Sequence, residues 1–353
     1  MITKIQKALA NAGFDALLLT SEQNRRYATG FHSSAGACYI SAQRAVFFTD
    51  FRYIEAARAQ IQGFEVREVG AGMSYSEAVN ACIAADRAQS IALEDEALTF
   101  AAYKSWEKGL SAEAAPQAGF MDRLRLVKEP REVECIVRAQ RIAERALAET
   151  LNDIRPGVTE KQVAARLTYL MLLYGGENMS FDPIVVSGAN SSKPHGVPSG
   201  KAIADGDFVT MDFGCIVDGY CSDMTRTVAV GRCTDEMRRV YETVLAAQQA
   251  GIAAARAGAA GAAVDGAARR LIEGAGYGDA FGHGFGHGVG LDIHESPNAS
   301  PRAETHLPAG AVLTAEPGIY LPGKFGVRIE DMLYITENGC RNLTEAPKAL
   351  TVL

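Results

Sequence analysis

The chain has 353 residues, of which 48% are hydrophobic and 22% charged, with a formal net charge of -7 and a pI near 5.5. That length supports two domains with a sizeable core, and the acidic balance gives no electrostatic footprint for nucleic acid or an anionic membrane surface. No apolar run reaches membrane-spanning length, and seven cysteines without a C-x-x-C pair indicate neither a disulfide framework nor a thiolate zinc site. The opening MITKIQKALANAGFDALLLT reads as an amphipathic helix running into a buried strand, not as a secretory leader, and a cytoplasmic location is expected.

Up to residue 122, short apolar runs (ALLLT, ACYIS, AVFFTD, SIALED) alternate with Ala-rich helical stretches such as YIEAARAQI and YSEAVNACIAA, the rhythm of a small α/β domain. A boundary is expected near 121–130, giving domains 1–122 and 123–353. The second opens with a long amphipathic helix, Pro130 in its first turn and Val133, Ile136, Ile142, Ala146 and Leu147 on one face. Further on, the segments beginning at Arg155 and Arg256 match at an offset of 101, through Gly157/Gly258, Val163/Val264, Leu170/Leu271 and Gly175/Gly276. A shared turn-helix-Gly pattern of this kind predicts two similar lobes facing each other across a cleft.

Four carboxylates and one histidine in the second domain stand out: Asp212, Asp223, His287, Glu316 and Glu330. VTMDFGCIVDGYCSDMTRTVAV reads as two strands joined at Asp218-Gly219, a strong hairpin signal. A two-residue loop there pairs position 212 with 225 and leaves Asp212 and Asp223 as diagonal cross-strand neighbours. An unpaired carboxylate in the apolar strand FVTMDFG would be costly to desolvate, so a cation is expected. Four carboxylates carry a charge of about -4, which two divalent ions cancel. Oxygen ligands with a single imidazole suit Mn or Co, and also Zn. Glu316 follows an apolar strand and precedes the rigid Pro317-Gly318. Glu330 is expected within a strand VRIEDMLYI, on one face with Arg328 and Met332; on that stretch alone, pairing with Arg328 and metal ligation weigh equally. His283 and His287 are four apart, but the glycines around them argue against a helix and for backbone that approaches a ligand closely. His195 sits between Pro194 and Pro198 on a loop that limits its freedom, and a functional role is expected.

The segments SGANSSKPHGVPS (187–199), MDFGCIVDGYCSDMTRT (211–227), HGFGHGVGLDIHE (283–295), TAEPGIY (314–320) and GVRIED (326–331) together resemble the Xaa-Pro peptidases of the M24 metallopeptidase family, the pita-bread enzymes that include aminopeptidase P and prolidase. The resemblance extends over the whole chain. It implies an α/β (α+β) fold, with a creatinase-like N-terminal α/β domain followed by an internally pseudo-duplicated pita-bread catalytic domain. It also decides for ligation at Glu330, and implies one metal held by Asp212, the other by His287 and Glu316, and both bridged by Asp223 and Glu330. Glu316 would relay a proton to the leaving nitrogen, His195 would hydrogen-bond the oxyanion, and His294 and Arg328 would position the substrate and the Glu330 carboxylate. The proline pocket would be lined by His283, His294 and Val289. The implied substrate is a peptide with proline at its second position, and the implied assembly a homodimer. An Xaa-Pro aminopeptidase is the leading expectation and an Xaa-Pro dipeptidase the second. Another M24 hydrolase and a non-catalytic binding protein on the same fold complete the alternatives.

Overall fold

Residues 1–70 and 72–353 are described by the computed structural model, and their contacts separate into two units, Met1–Leu124 and Arg125–Leu353. In the first, helix α1 (Ile2–Ala12) ends on Gly13 in the left-handed conformation and feeds strand β1 (Ala16–Leu19), buried along its whole length. There follow α2 (Glu22–Thr29), β2 (Ala37–Ser41), β3 (Ala45–Thr49), α3 (Ile54–Gln60) and β4 (Glu65–Glu68). Next come α4 (Tyr75–Asp86), β5 (Ser90–Leu93), α5 (Phe100–Gly109), β6 (Glu113–Pro116) and α6 (Phe120–Arg125). The strands form one mixed sheet in the order β4-β3-β2-β1-β5-β6. Helix α4, started by a reciprocal Ser74–Glu77 capping box, supplies Val79, Cys82 and Ile83 to the core beside Leu18, Tyr39 and Ile91.

The second unit is built twice from the same parts. Its first lobe has α7 (Pro130–Thr150), with Pro130 at the first helical position, and α8 (Glu160–Leu173), capped by Thr159 and Gln162. Strands β7 (Ile184–Ser187), β8 (Phe208–Phe213), β9 (Ile216–Val217), β10 (Tyr220–Cys221) and β11 (Met224–Ala229) follow. The second lobe has α9 (Asp235–Ala254), α10 (Gly261–Gly274), β12 (Gly286–Gly288), β13 (Glu295–Ala299) and β14 (Val312–Ala315). It is completed by β15 (Gly318–Leu321), β16 (Phe325–Arg328), β17 (Asp331–Thr336) and β18 (Gly339–Asn342). Helices α8 and α10 are each 14 residues long and begin at Glu160 and Gly261, the 101-residue spacing of the sequence match. The sheet order β11-β8-β7 in one lobe has its counterpart in β17-β14-β12 in the other. Each lobe also has its own core: Leu167, Met171, Met211 and Phe213 lie in the first, and Val244, Ile272, Phe285 and Leu333 in the second.

Two details place the carboxylates. Asp218 (φ 50) and Gly219 (φ 87) turn the chain between β9 and β10 with positive φ at both positions, the two-residue geometry that matches strand twist. The resulting register sets Asp212 opposite Thr225. Between β8 and β9 the strand loosens at Gly214, where an added Cβ would lie 1.8 Å from the Ser222 carbonyl oxygen. The approach leaves no room for a side chain at 214 beside Ser222 and Asp223, which lie between β10 and β11. The second detail departs from expectation: VRIEDMLYI is two strands in different sheets, β16 and β17, and Glu330 occupies the corner between them. The corner is fixed from outside, because the Glu330 N–H donates to Thr225 O (3.1 Å) and Thr227 Oγ1 donates to Arg328 O (3.0 Å). A lone sequence stretch carries no trace of such a cross-lobe seam.

Gly214→Ala is expected to force the Ser222–Asp223 peptide aside, at about 1–3 kcal/mol of overpacking, and to lower both melting temperature and bound metal. Gly200→Ala, where the added carbon meets nothing within 4 Å, is the control that leaves both unchanged. Thermal melts and metal analysis of the two variants check this.

Candidate metal centre

The duplicated lobes deliver their acids at equivalent points. Asp212 lies near the end of β8 and Glu316 just beyond β14, while Asp223 and Glu330 each stand one residue before β11 and β17. Ligand atoms of Asp223, His287 and Glu330 all lie within 4.8 Å of one another. His287 Nε2 is 3.6 Å from Asp223 Oδ2 and 3.3 Å from Glu316 Oε1. Asp212 Oδ2 is paired with Arg328, and its other oxygen, Oδ1, is buried without a hydrogen-bond partner. All five side chains open on one cavity of about 690 Å³.

The electrostatics of the metal-free cluster are unfavourable. Burial, then the Asp212 and Glu316 charges, pushes the Asp223 carboxyl well above the usual range. Burial and Asp223 do the same to Glu330, and burial raises Glu316 to about 7 against the pull of Arg328. Thr225 Oγ1 donates to Glu330 (2.7 Å) and Thr314 Oγ1 to Glu316 (3.1 Å). The imidazole is prepared as a ligand: Nδ1 faces Gly288 O at 3.1 Å, which leaves the Nε2 lone pair toward the acids, and burial lowers its pKa so that it stays neutral. An orphaned carboxylate oxygen, converging acids and an oriented neutral imidazole are what divalent cations require, so the residues present fit a metal centre.

Around this core the cavity is lined by His195, His283, His294 and Arg328. Arg328 uses four of its five donors: it donates to Asp212, to Thr225 Oγ1 (3.1 Å), to Tyr320 OH (2.9 Å) and to Pro194 O (3.2 Å). Tyr320 in turn meets His283 Nε2 at 2.9 Å, while His283 Nδ1 faces Gly284 O at 2.9 Å. Burial lowers the His283 pKa to about 4. With both nitrogens of a neutral ring occupied, His283 offers a substrate its edge and no hydrogen bond. The His294 ring lies 4.3 Å from that of His287.

Val289 is a correction. It is fully buried, packed with Val133, Ile136, Val312 and Met332, and does not line the cavity. A register shift between His287 and Gly288 is the reason, because it breaks the alternation that would put residues 287 and 289 on one face. The apolar wall comes instead from Phe181, Ile184, Val197 and Ile293. Sequence reading also passed over Thr225, Thr314 and Tyr320. Their only signal was position, two residues from an acid or one turn beyond it.

Two lobes of one design closing on acids and an imidazole define a metal-dependent hydrolase. Residues 134–337 match the model of metallopeptidase family M24, and residues 1–127 that of the creatinase/prolidase N-terminal domain. The chain is 43% identical to an uncharacterized peptidase of Bacillus subtilis, over 100% of this chain and 99% of that one. The Xaa-Pro dipeptidase from Bacillus anthracis superposes with a TM-score of 0.96 at 42% identity, covering 100% of this chain and 99% of its own. The X-Pro aminopeptidase from Thermotoga maritima gives 0.93 at 37%, covering 98% and 100%. The chain belongs to metallopeptidase family M24 and is a metallo-exopeptidase with a creatinase-type N-terminal domain. Among the described residues no helix is long and apolar enough to cross a membrane.

Carboxyls raised by burial hold protons that a cation must displace. Metal uptake is therefore expected to release protons at pH 6 and to weaken as pH falls, with less release above the Glu316 value of about 7. Calorimetric titration of Mn into chelator-treated protein, in two buffers of different ionisation enthalpy, measures the proton count. Heat at pH 6 that is independent of buffer would contradict it.

Proposed function

We propose that the chain is an Xaa-Pro aminopeptidase, removing the first residue from peptides whose second residue is proline. The observation that carries this over the dipeptidase reading is the charge of the cavity wall. Among the described residues lining it, Arg328 is the only Lys or Arg, and four of its five N–H donors are already spent on Asp212, Thr225, Tyr320 and Pro194, with Asp212 taking its charge. A dipeptidase has to receive a free carboxylate directly after the proline, which a wall without an available cation disfavours. A longer peptide presents a neutral amide there. The dipeptidase remains the second reading, favoured by the name of the Bacillus anthracis relative.

Asp212 would hold one divalent cation, His287 and Glu316 the other, and Asp223 and Glu330 would be shared, with Mn or Co the expected ions. Bound there, the pair would acidify a water and polarise the scissile carbonyl. Glu316, whose carboxylate lies beside the proposed site of the attacking water, would take a proton from that water and deliver it to the leaving nitrogen. His195 donates a hydrogen bond to the oxygen on which charge develops. Arg328 fixes Asp212 and, through Pro194 O, the backbone next to His195. A proline ring needs no acceptor for a peptide N–H, and the wall of Phe181, Ile184 and Ile293 supplies apolar contact.

Two measurements test the reading. Product analysis on Xaa-Pro, Xaa-Pro-Yaa and longer peptides is expected to show release of Xaa from all lengths beyond two; turnover confined to the dipeptide would hand the site to the second reading. His195→Ala is expected to keep its metal and lose kcat by about 100-fold, while His287→Ala loses metal. An equal metal deficit in both would refute this division of roles.

A further inference from the structure

The histidine-bearing loop 187–199 is held from below by a side chain that no feature of the sequence marked. Glu160, the first residue of α8, is fully buried. Its Oε1 accepts from Ser187 N (2.7 Å), Ser187 Oγ (2.9 Å) and Asn190 Nδ2 (3.1 Å). Its Oε2 accepts from Ser199 N (3.0 Å) and Ser199 Oγ (2.5 Å). One carboxylate thus closes both ends of the loop whose far side carries His195. Burial opposes its charge, but the hydrogen bonds from Ser199, Asn190 and Ser187 outweigh it and hold the carboxyl below its usual range.

The rest of the loop has little freedom left. Pro194 and Pro198 restrict its backbone, and the Gly196 N–H closes a turn on Lys193 O (3.0 Å). Gly196 itself sits against β7, where an added Cβ would be 2.6 Å from Val186 Cγ1. Gly326 N donates to Ser191 Oγ at 2.8 Å. The second lobe repeats the device on α10. There Asp265, also buried, accepts from Phe285 N (3.0 Å) and pairs with Arg269, which donates to Phe281 O (2.9 Å) and His283 O (2.7 Å). That anchors the segment carrying His283 and His287. Each lobe therefore uses a buried acid on its second helix to set a histidine segment.

We propose that Glu160 is a positioning residue, which fixes His195 over the cavity by clamping both ends of the 187–199 loop. The inference rests on the role given to His195 above. An amide in place of the carboxylate would turn an NH2 group toward N–H and O–H donors at one end of the loop and release that end. A displacement of about 1 Å at the reacting group is enough to cost up to 100-fold in rate.

The test uses Glu160→Gln, Ser199→Ala, His195→Ala and the pairs Glu160→Gln/His195→Ala and Ser199→Ala/His195→Ala, each as the metal-loaded full chain. Metal content, melting temperature, and kcat and KM on an Xaa-Pro-Yaa peptide are measured. Glu160→Gln is expected to keep its metal and its KM within about threefold while kcat falls by roughly 10- to 100-fold. Each double variant is expected to be no slower than His195→Ala alone, because the clamp acts only through that histidine. Ser199→Ala, which removes one of the five donor atoms that face Glu160, is expected to show a smaller kcat loss that also vanishes when His195 is absent. It serves as the test if Glu160→Gln melts below the assay temperature. Parental kcat in Ser199→Ala and Glu160→Gln, or losses that multiply in either double variant, would overturn the proposal. Parental kcat in His195→Ala would overturn the reading of that histidine and the proposal with it, and is distinguishable because Glu160 is intact there.

Discussion

Everything in the catalytic unit answers to the repulsion among four carboxylates brought together out of water. Burial first, and the neighbouring carboxylates after it, raise the pKa values of Asp223, Glu330 and Glu316, because like charges in a low-dielectric site cannot all ionise unaided. The protein supplies partial relief in two forms. Arg328 reaches Asp212 from one side. From behind, Arg226 donates to Glu330 O (2.6 Å) and pairs with Asp331 (2.8 Å), a buried contact that Lys348 extends. These arginines hold the acids in place, and each is itself paired with a carboxylate. What they leave unsatisfied, Asp212 Oδ1 among it, is the binding energy available to cations.

Duplication is how the fold pays for such an arrangement. One helix-helix-sheet unit with its own core can present two acids at the ends of adjacent antiparallel strands, and two copies facing each other present four. Each copy buries its own apolar surface, Met211 and Phe213 in one and Phe285 and Leu333 in the other, which stabilises the lobes that carry the acids. The seam between the copies is polar where it passes the site, beside the apolar cluster in which Val133 and Ile136 meet Val289, Val312 and Met332. Thr225, Thr227 and Arg226 on β11 meet Arg328, Glu330 and Asp331 across it, so the acids from the two lobes are registered against each other by hydrogen bonds, which are directional where apolar packing is not.

The histidines follow a second rule. Both segments that carry them are poor in regular structure and rich in glycine or proline, so the backbone that bears the rings has to be fixed from outside. Glu160 in the first lobe and Asp265 with Arg269 in the second supply the missing order from the helices beneath. The duplicated helices thus do more than fill the core.

Much of this was legible in the sequence. The amphipathic face of α7, the Asp218-Gly219 turn and the pairing of Asp212 with Thr225, and the 101-residue repeat of α8 and α10 all follow from patterns a few residues long. Local sterics and the burial of one face determine such features, and each is complete within its own segment. One part of the site was legible as well, because Asp212 in the apolar strand β8 demands a partner wherever it ends up. Other features were decided only by the assembled fold. Glu330 stands at a corner because residues about a hundred positions earlier hold it there. Val289 turned into the core because a bulge at His287 changed the face it occupies. Glu160 carries no mark in its own segment, since its five partners lie 27 to 39 residues further on. Sequence determines what a segment prefers by itself, whereas the convergence of distant polar groups depends on which backbone donors packing leaves pointing at the same place.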